Sequence, residues 1–322
     1  MSTIHVLPKA VSELIAAGEV IERPASVVKE LIENSIDAGA TAITVEIQNG
    51  GVRFIRITDN GSGISADDAP TSFLRHATSK VTDASDLDCI GTLGFRGEAL
   101  ASITAVSKVE MMTKTATAEL GTYVKICGSE LQEVRETGCP SGTTITIRDI
   151  FYNVPARLKF LKKDVTEGNA VSGIVDKIAL SHPEIAVKLI RDNKVTFHTP
   201  GDGKLLSAVY TIFGKEFAQN MLPVEYEYGG VRVTGLTGKP MFHRANRAMQ
   251  HFFINGRYAQ SRTCSVATGE AYRGAMMIGK FPACVLQLEM PFEQVDVNVH
   301  PAKIEVRFVN EKAVFDSVYF AV

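Results

Sequence analysis

The sequence predicts an α+β protein of two domains, and three observations carry that prediction. The chain has 322 residues, more than a single compact core commonly holds. Stretches of helical and of alternating periodicity occur in both halves, with several hairpins among them, which is the pattern of helices layered on sheets. Between the halves lies Thr199-Pro200-Gly201-Asp202-Gly203, a run of turn formers suited to a linker. The expected domains are residues 1–200 and 201–322.

The elements follow in chain order. Residues 26–38 read as a helix: Val27, Val28, Leu31, Ile32 and Ile36 recur at helical spacing, Ser26 can cap the start and Gly39 can end it. A hairpin comes next. Ile43, Val45 and Ile47 alternate with polar residues, Asn49-Gly50 supplies the turn, and a second strand runs from Val52 to Thr58. Residues 98–106 look helical, and strands are expected near 122–127 and 143–149. Past the linker, a helix is expected near 204–213, strands near 231–236, 250–255, 284–290 and 303–309, and helices near 262–273 and 312–320. No internal repeat or low-complexity segment interrupts this order.

Composition narrows the class. Hydrophobic residues make up 45% and charged residues 22%, which is ordinary globular usage rather than disordered or fibrous. No apolar run reaches the roughly 18 residues that span a bilayer. The first residues, Met1 to Ala17, lack the basic start and long apolar core of a secretory signal. The five cysteines, Cys89, Cys127, Cys139, Cys264 and Cys284, form no CxxC pair and no metal-ligand spacing, so they are expected to be reduced thiols in a cytoplasmic protein without membrane partners. The net charge of −2 argues against a generic nucleic-acid binder, but it hides an asymmetry. From Lys239 to Lys280 there are seven basic residues (Lys239, Arg244, Arg247, Arg257, Arg262, Arg273, Lys280) against one acid, Glu270. Arg157, Lys159, Lys162 and Lys163 form a second cluster. Such clusters suit a phosphate backbone, and equally suit a solvated basic face.

Three segments carry candidate chemistry. Glu30 and Asn34 lie four apart on the first helix and share a face, with Glu33 and Asp37 nearby. Carboxylate and amide oxygens suit Mg²⁺, which would offset the like-charge repulsion; a polar solvent-facing stripe is the alternative. The loop Asp59-Asn60-Gly61-Ser62-Gly63-Ile64 leads out of a strand. Its glycines permit close approach to a ligand, and Asp59 could accept from the amino group of a base, although the same residues also make plain turns. In Gly91-Thr92-Leu93-Gly94-Phe95-Arg96-Gly97-Glu98-Ala99-Leu100 a glycine loop runs into a helix start, where free N–H groups favour phosphate. It is neither a Walker loop nor GxGxxG, so an unusual phosphate loop and a glycine hinge both remain open. There is no GxSxG or HExxH motif. His243 and His251 have no cysteine partners at zinc spacing and read as surface or strand histidines.

The order and wording of these blocks are more telling than any one of them. The runs Ile15-Ala16-Ala17-Gly18-Glu19-Val20-Ile21-Glu22-Arg23-Pro24 and Lys29-Glu30-Leu31-Ile32-Glu33-Asn34-Ser35-Ile36-Asp37-Ala38-Gly39 closely resemble the opening of MutL proteins. So do Asp59 to Ile64, Arg75-His76-Ala77-Thr78-Ser79-Lys80, Gly94 to Leu100 and Gly142-Thr143-Thr144. Phe151-Tyr152-Asn153-Val154-Pro155-Ala156-Arg157, Asn255-Gly256-Arg257 and Val297-Asn298-Val299-His300-Pro301-Ala302-Lys303 extend the likeness over nearly the whole chain. Leu74 and Gly91 depart from it without touching a catalytic position.

That resemblance implies the ATPase superfamily shared by gyrase, the ninety-kilodalton heat-shock chaperone, histidine kinases and MutL. The implied fold is a mixed-sheet α/β sandwich ATPase domain, with ATP between sheet and helices, followed by a ribosomal-protein-like α/β domain that completes the ATP site and contributes to a DNA groove. Glu30 matches the general base and Asn34 the Mg²⁺ ligand. Asp59 matches the acceptor for the adenine amino group, with Gly63 and Thr143 at that end of the pocket. Thr78, Ser79 and Lys80 fall in the lid, and Gly94, Phe95, Arg96 and Gly97 match the loop whose amides wrap the phosphates. Lys303 matches a catalytic lysine for the γ-phosphate. Arg262 matches an arginine used on DNA, with Arg244, Arg247 and Arg257 in the same basic stretch. ATP and Mg²⁺ are the implied cofactors. The implied partners are DNA bound without sequence preference, a MutS-type mismatch-recognition protein, a downstream repair nuclease or helicase, a sliding clamp as a further candidate, and a second copy on ATP binding. Such proteins continue through a linker to a dimerisation domain, so the chain reads as an N-terminal fragment, bacterial and nucleoid-associated. The rival readings are another ATPase of the superfamily, such as a type II topoisomerase, and a non-catalytic DNA-binding scaffold.

Overall fold

The computed structural model describes His5 and residues 8–80, 97–296 and 306–322. These fall into two compact units. The first holds the residues up to 80, 97–175 and 185–198; the second holds 176–184 and the residues from 199 onward.

In the first unit, α1 (Lys9–Val20) and α2 (Pro24–Asp37) precede β1 (Ala42–Gln48) and β2 (Phe54–Asp59). The short α3 (Asp68–Thr71) and α4 (Ala99–Ala105) follow, then β3 (Lys108–Lys114), β4 (Gly121–Cys127), β5 (Glu130–Thr137) and β6 (Gly142–Arg148). The short α5 (Pro155–Phe160) and the long α6 (Asp164–Ser181), whose last residues belong to the second unit, lead to β7 (Ala186–Arg191) and β8 (Lys194–His198). The eight strands form one sheet in the order β5-β4-β3-β6-β2-β1-β7-β8. It is mixed: β1 and β7 run parallel, with Val45 opposite Leu189, and the other described pairs are antiparallel. A parallel pair needs a crossover rather than a tight turn; α6 leads into β7.

Helix α2 is built by its apolar stripe. Val27, Val28, Leu31 and Ile32 are buried, and α2 packs on β1 and β2. It starts two residues earlier than the spacing predicts. Pro24 occupies the first turn, where its missing N–H and fixed φ cost nothing, so Ser26 lies inside the helix rather than capping it. Helix α4 packs on β3 and β4, and α1 packs on α4.

The second unit opens with α7 (Leu205–Phe213) and α8 (Lys215–Gln219), then β9 (Met221–Tyr228), β10 (Val231–Gly238) and β11 (His243–Arg244). Next come β12 (Gln250–Ile254), β13 (Arg257–Ala259), α9 (Arg262–Ala271), β14 (Phe281–Pro282) and β15 (Cys284–Glu289). It closes with β16 (Val295–Asp296), β17 (Arg307–Phe308) and α10 (Glu311–Ala321). Five strands form a sheet in the order β13-β12-β15-β10-β9, with β12 and β15 parallel. Both faces are buried, which the period-2 geometry of a strand allows. Phe252, Ile254, Leu286 and Leu288 pack with Val314 and Val318 of α10 and Cys264 of α9. Phe253 and Val285, one residue out of phase, pack with Leu180, Val209 and Phe217. The expected strand near 303–309 is described only as β17, paired with β16; residues 303–305 lie outside the described residues.

Candidate nucleotide-binding site

The candidate site in the first unit is assembled from α2, the end of β2, the start of β6 and the segment ending at Lys80. The α2 stripe that buries Leu31 and Ile32 leaves Glu30 and Asn34 only partly covered. Lys29 sits beside both neighbouring carboxylates, with Nζ 3.4 Å from Glu30 Oε1 and 3.1 Å from Glu33 Oε1. Burial pulls the Lys29 ammonium down, but Glu33 and then Glu30 outweigh it, and its pKa ends above the ordinary lysine value. Lys29 therefore stays charged beside the Glu30 and Glu33 carboxylates, closer to Glu33.

One turn further on, Asn34 Oδ1 accepts from Lys80 Nζ at 2.8 Å, and Asp37 Oδ2 lies 2.6 Å from the same nitrogen. Asn34 and Asp37 thus already hold a cation between an amide and a carboxylate oxygen, and that ammonium stands in for a metal ion. Among the described residues no cluster of three or more His, Cys, Asp or Glu could cage a metal by itself. The oxygens present fit Mg²⁺ of the kind that takes one or two protein ligands and fills the rest from phosphates and water.

Asp59 ends β2 and is fixed by three donors. Its Oδ1 accepts from the backbone N–H of Gly61 at 2.9 Å and of Thr143 at 3.2 Å, while Oδ2 accepts from Ser35 Oγ at 2.8 Å. Register explains the Thr143 bond, since β2 and β6 pair Asp59 with Thr143. Thr113 ties the same corner: its Oγ1 accepts from the Ile64 N–H and lies 3.0 Å from Thr143 Oγ1. Gly63 has φ +69, and a Cβ there would stand 2.1 Å from the Lys114 carbonyl oxygen. Only glycine lets this loop close against β3.

Thr78 Oγ1 accepts from the Lys80 N–H at 3.2 Å, and Ser79 lies between them. Gly97, with φ +60, accepts at its carbonyl from the His76 N–H at 3.0 Å, so the start of the α4 loop is tied to the segment bearing Thr78 to Lys80. Gly94, Phe95, Arg96 and Lys303 lie outside the described residues. The structure therefore brings Glu30, Asn34 and Lys80 onto one face and Asp59, Gly63 and Thr143 into one corner.

Sequence reasoning missed Ser35, Thr113 and the pairing of Asp37 with Lys80. Ser35 had a signal, lying one turn past Leu31 on the helix that Asp59 must approach. Thr113 had none. Arg157 is not a free basic group: its guanidinium donates to the carbonyls of Gly18 (2.6 Å) and Ile21 and lies over the Phe151 ring. Arg23 pairs with Glu167 at 2.9 Å, where Glu167 is nearly fully buried.

In the second unit, Arg262 opens α9 and is exposed, after Ser261, whose Oγ accepts from the Cys264 N–H. Arg244 lies with its guanidinium 4.0 Å from the Phe242 ring centroid and 5.3 Å from that of Phe217. Arg247 lies over Phe281, and Arg257 sits at the start of β13. His251 is a buried strand histidine whose ring stacks on Phe213; burial and then the nearby Lys177 push its pKa down from 6.5 to about 4. Of the five cysteines, the four among the described residues are free thiols.

A mixed eight-stranded sheet with an asparagine-bearing helix and a strand-end aspartate on the neighbouring strand defines a class. Residues 21–133 match the family model described as histidine kinase-, DNA gyrase B- and HSP90-like ATPase, and residues 209–322 match the DNA mismatch repair protein C-terminal domain. The fold resembles the crystal structure of the N-terminal domain of a DNA repair protein (TM-score 0.80, 26% identity, 96% of this chain and 95% of that one). It also resembles the Aquifex aeolicus MutL ATPase domain complexed with ADP (TM-score 0.65, 27% identity, 93% and 98%). The chain belongs to the MutL family of DNA mismatch repair proteins. It is 49% identical to MutL of Agathobacter rectalis, over 99% of this chain and 50% of that protein. It is 45% identical to MutL of Thermoanaerobacter pseudethanolicus, over 99% and 52%. The chain spans about half the length of the curated relatives it matches. Among the described residues, no helix is long and apolar enough to cross a membrane.

Proposed function

We propose that this chain binds ATP with Mg²⁺ on the α2 face of its first unit, hydrolyses it slowly, and uses the cycle as a conformational switch in mismatch repair. One observation carries the reading: Asn34 and Asp37 hold a cation one turn from Glu30, while the Asp59 carboxylate is fixed as an acceptor by three donors. The ADP complex of the Aquifex aeolicus relative adds support for nucleotide binding at this fold.

Asp59 recognises the base. Both its oxygens are acceptors, so it favours a purine with an amino donor, and Gly63 and Thr143 shape that corner. Glu30 would orient a water and take its proton as the water oxygen bonds to the γ-phosphorus and the bond from that phosphorus to the β–γ bridging oxygen breaks, leaving ADP and inorganic phosphate. Asn34 would hold Mg²⁺ through its amide oxygen, and the ion would supply positive charge to the phosphate oxygens. Thr78, Ser79, Lys80 and the loop from Gly94 to Gly97 offer donors to the phosphates. Lys303 is assigned, on sequence likeness alone, to the developing γ-phosphate charge.

The γ-phosphate would order the lid and the N-terminal segment, and the ordered surfaces would join two copies; hydrolysis removes those contacts. Arg262, with Arg244, Arg247 and Arg257, is assigned to the DNA backbone, a contact that is salt-sensitive and indifferent to sequence. A MutS-type recognition protein, a repair nuclease or helicase and a sliding clamp are the proposed partners, in a bacterial cytoplasm on the nucleoid. Phosphate release from ATP, measured with Mg²⁺ and with EDTA, tests the reading. Mg²⁺-dependent release that Asn34→Ala abolishes is expected. No release under either condition would leave a non-catalytic scaffold.

A further inference from the structure

The second unit carries an apolar tip that no described residue covers. Ile278 is 103% exposed and Met277 68%. Both stand on the loop between α9 and β14, where residues 273–275 and 277–280 are all exposed. Turn corners ordinarily take glycine, proline or short polar residues. An isoleucine that buries none of its side chain adds nothing to folding.

The loop is braced at both ends. At its start Tyr272 is buried, with its hydroxyl 2.8 Å from Thr237 Oγ1. At its end Phe281 and Pro282 pair with Arg244 and His243. Between them the Lys280 N–H donates to the Met277 carbonyl at 3.1 Å, and Gly279 has φ +78, as the third position of a type II turn requires. Ile278 is therefore the corner of a closed turn. Its surroundings are basic. Lys280 is two residues away and exposed. Arg247, also exposed, lies 5.0 Å from the centroid of the Phe281 ring. The one acid between Lys239 and Lys280 is Glu270, and it pairs with Arg273 at 3.1 Å.

We propose that Ile278, with Met277 beside it, is a wedge that enters the minor groove of duplex DNA and partly unstacks one base step, while Lys280 and Arg247 hold nearby phosphates. The inference rests on the assignment of this basic stretch to DNA, and adds a contact with the bases. Aliphatic side chains of this kind insert between base steps and kink the duplex. The shape fits: a convex tip enters a groove, whereas an amphipathic partner helix needs a groove to lie in. The charge fits as well, since a second copy would set basic loop against basic loop. A wedge reads deformability rather than base edges. Binding therefore favours pyrimidine–purine steps and mismatches, which unstack most easily.

The test compares the wild-type chain with the double variant Met277→Ser, Ile278→Ser and with Lys280→Ala, on short DNA duplexes that carry a TA step, a mismatch or an A-tract at the centre. A fluorophore pair on the duplex ends reads bending, and 2-aminopurine beside the central step reads unstacking. Wild type is expected to bend the first two duplexes and to bind them about tenfold more tightly than the A-tract. The double serine variant should lose the bend and cut that preference to less than about twofold. Its slope of log affinity against log salt should not change, because no phosphate contact is lost. Lys280→Ala should do the reverse: the slope falls by about one, and the bend and the preference stay. Ile278→Trp gives a second readout in a chain that has no tryptophan. Its fluorescence should be quenched by the duplex and shielded from acrylamide. The wedge is overturned if the double serine variant bends and discriminates as wild type does, or if the Ile278→Trp protein is as open to acrylamide with DNA as without it. It is also overturned if the serine changes abolish binding to phosphatidylserine vesicles and leave DNA binding untouched. Wild-type protein without salt-dependent DNA binding would remove the DNA assignment itself, and the wedge with it.

Discussion

The part Asp59 plays in holding the fold can be separated from its proposed contact with the base. Its Oδ1 accepts from two backbone donors, Gly61 N–H and Thr143 N–H, and its Oδ2 accepts from Ser35 Oγ. Hydrogen bonds to a charged acceptor contribute about 1.5–3 kcal/mol each. Asp59→Ala orphans all three donors in a half-buried corner, so a loss of about 3 kcal/mol in folding stability is expected once partial solvent access is allowed for. Asp59→Asn should cost about 1 kcal/mol or less. Its Oδ1 keeps both backbone donors, and Ser35 Oγ can turn its proton to the Leu31 carbonyl, already 3.1 Å away, and accept from the new amide. The amide cannot flip, because its NH₂ would then face two N–H groups. The base therefore meets a donor where it met an acceptor. Losing a charge-assisted bond and gaining a donor–donor clash, about 3 kcal/mol together, predicts about 100-fold weaker ADP binding. Hypoxanthine nucleotides, with a carbonyl at that position, should lose far less or gain. Urea denaturation measures the first effect and calorimetric titration of ADP and IDP the second. A folded Asp59→Asn protein that binds ADP within about threefold of wild type would refute the assignment of the base.

Two further outcomes follow from the second unit. His251 is neutral when folded, and neither ring nitrogen has a hydrogen-bond partner among the described residues. Its folded pKa of about 4 lies below the ordinary 6.5, so the unfolded chain takes the proton first; stability present above pH 6.5 is lost as the pH falls toward 4, by about 3 kcal/mol. Denaturation midpoints at a series of pH values check this, and His251→Phe should flatten the dependence. Arg262→Glu should weaken DNA binding and reduce the slope of log affinity against log salt by about one or more, read by fluorescence anisotropy; unchanged affinity at low salt would remove Arg262 from the interface.

Much of this architecture is legible in the sequence, and the gaps have physical causes. Helix α2, the β1–β2 hairpin and the Asp59 to Gly63 loop follow from periodicity and turn chemistry, since local rules and tertiary packing agree there. Strand β5 carries no alternating signal because it is an edge strand exposed at every residue except the partly covered Thr137, so its residues need not alternate. Helix α6 is punctuated by Gly168 and Gly173, which weaken a helical reading that burial of Val171, Val175 and Ala179 restores. Strand β3 fills one inward position with Thr113, a polar side chain whose hydroxyl is satisfied by Gly142 and Ile64, so the apolar alternation is broken. The β7–β8 hairpin is different: Val187 and Leu189 alternate and Asp192-Asn193 makes the turn, so the sequence does carry its signal. Within the site, residue type and spacing offer Glu30, Asn34 and Asp59 only beside a plain polar stripe and a plain turn, and the resemblance to MutL proteins is what singles them out. What they touch shows in neither. Lys80 is 46 positions from Asn34, and Ser35 is 24 from Asp59. Both pairings depend on how the fold closes. The same holds for Arg157, a basic residue in sequence and a clamp on two α1-end carbonyls in the fold.

The Glu30 carboxylate is proposed to act on a nucleotide held by Asn34 and Asp59. The most direct measurement is single-turnover phosphate release from Mg²⁺-ATP by Glu30→Ala, beside ATP binding by the same protein. Affinity within about threefold of wild type, with release slowed by about 100-fold or more, is the predicted result. Release at the wild-type rate would contradict it and move the base elsewhere.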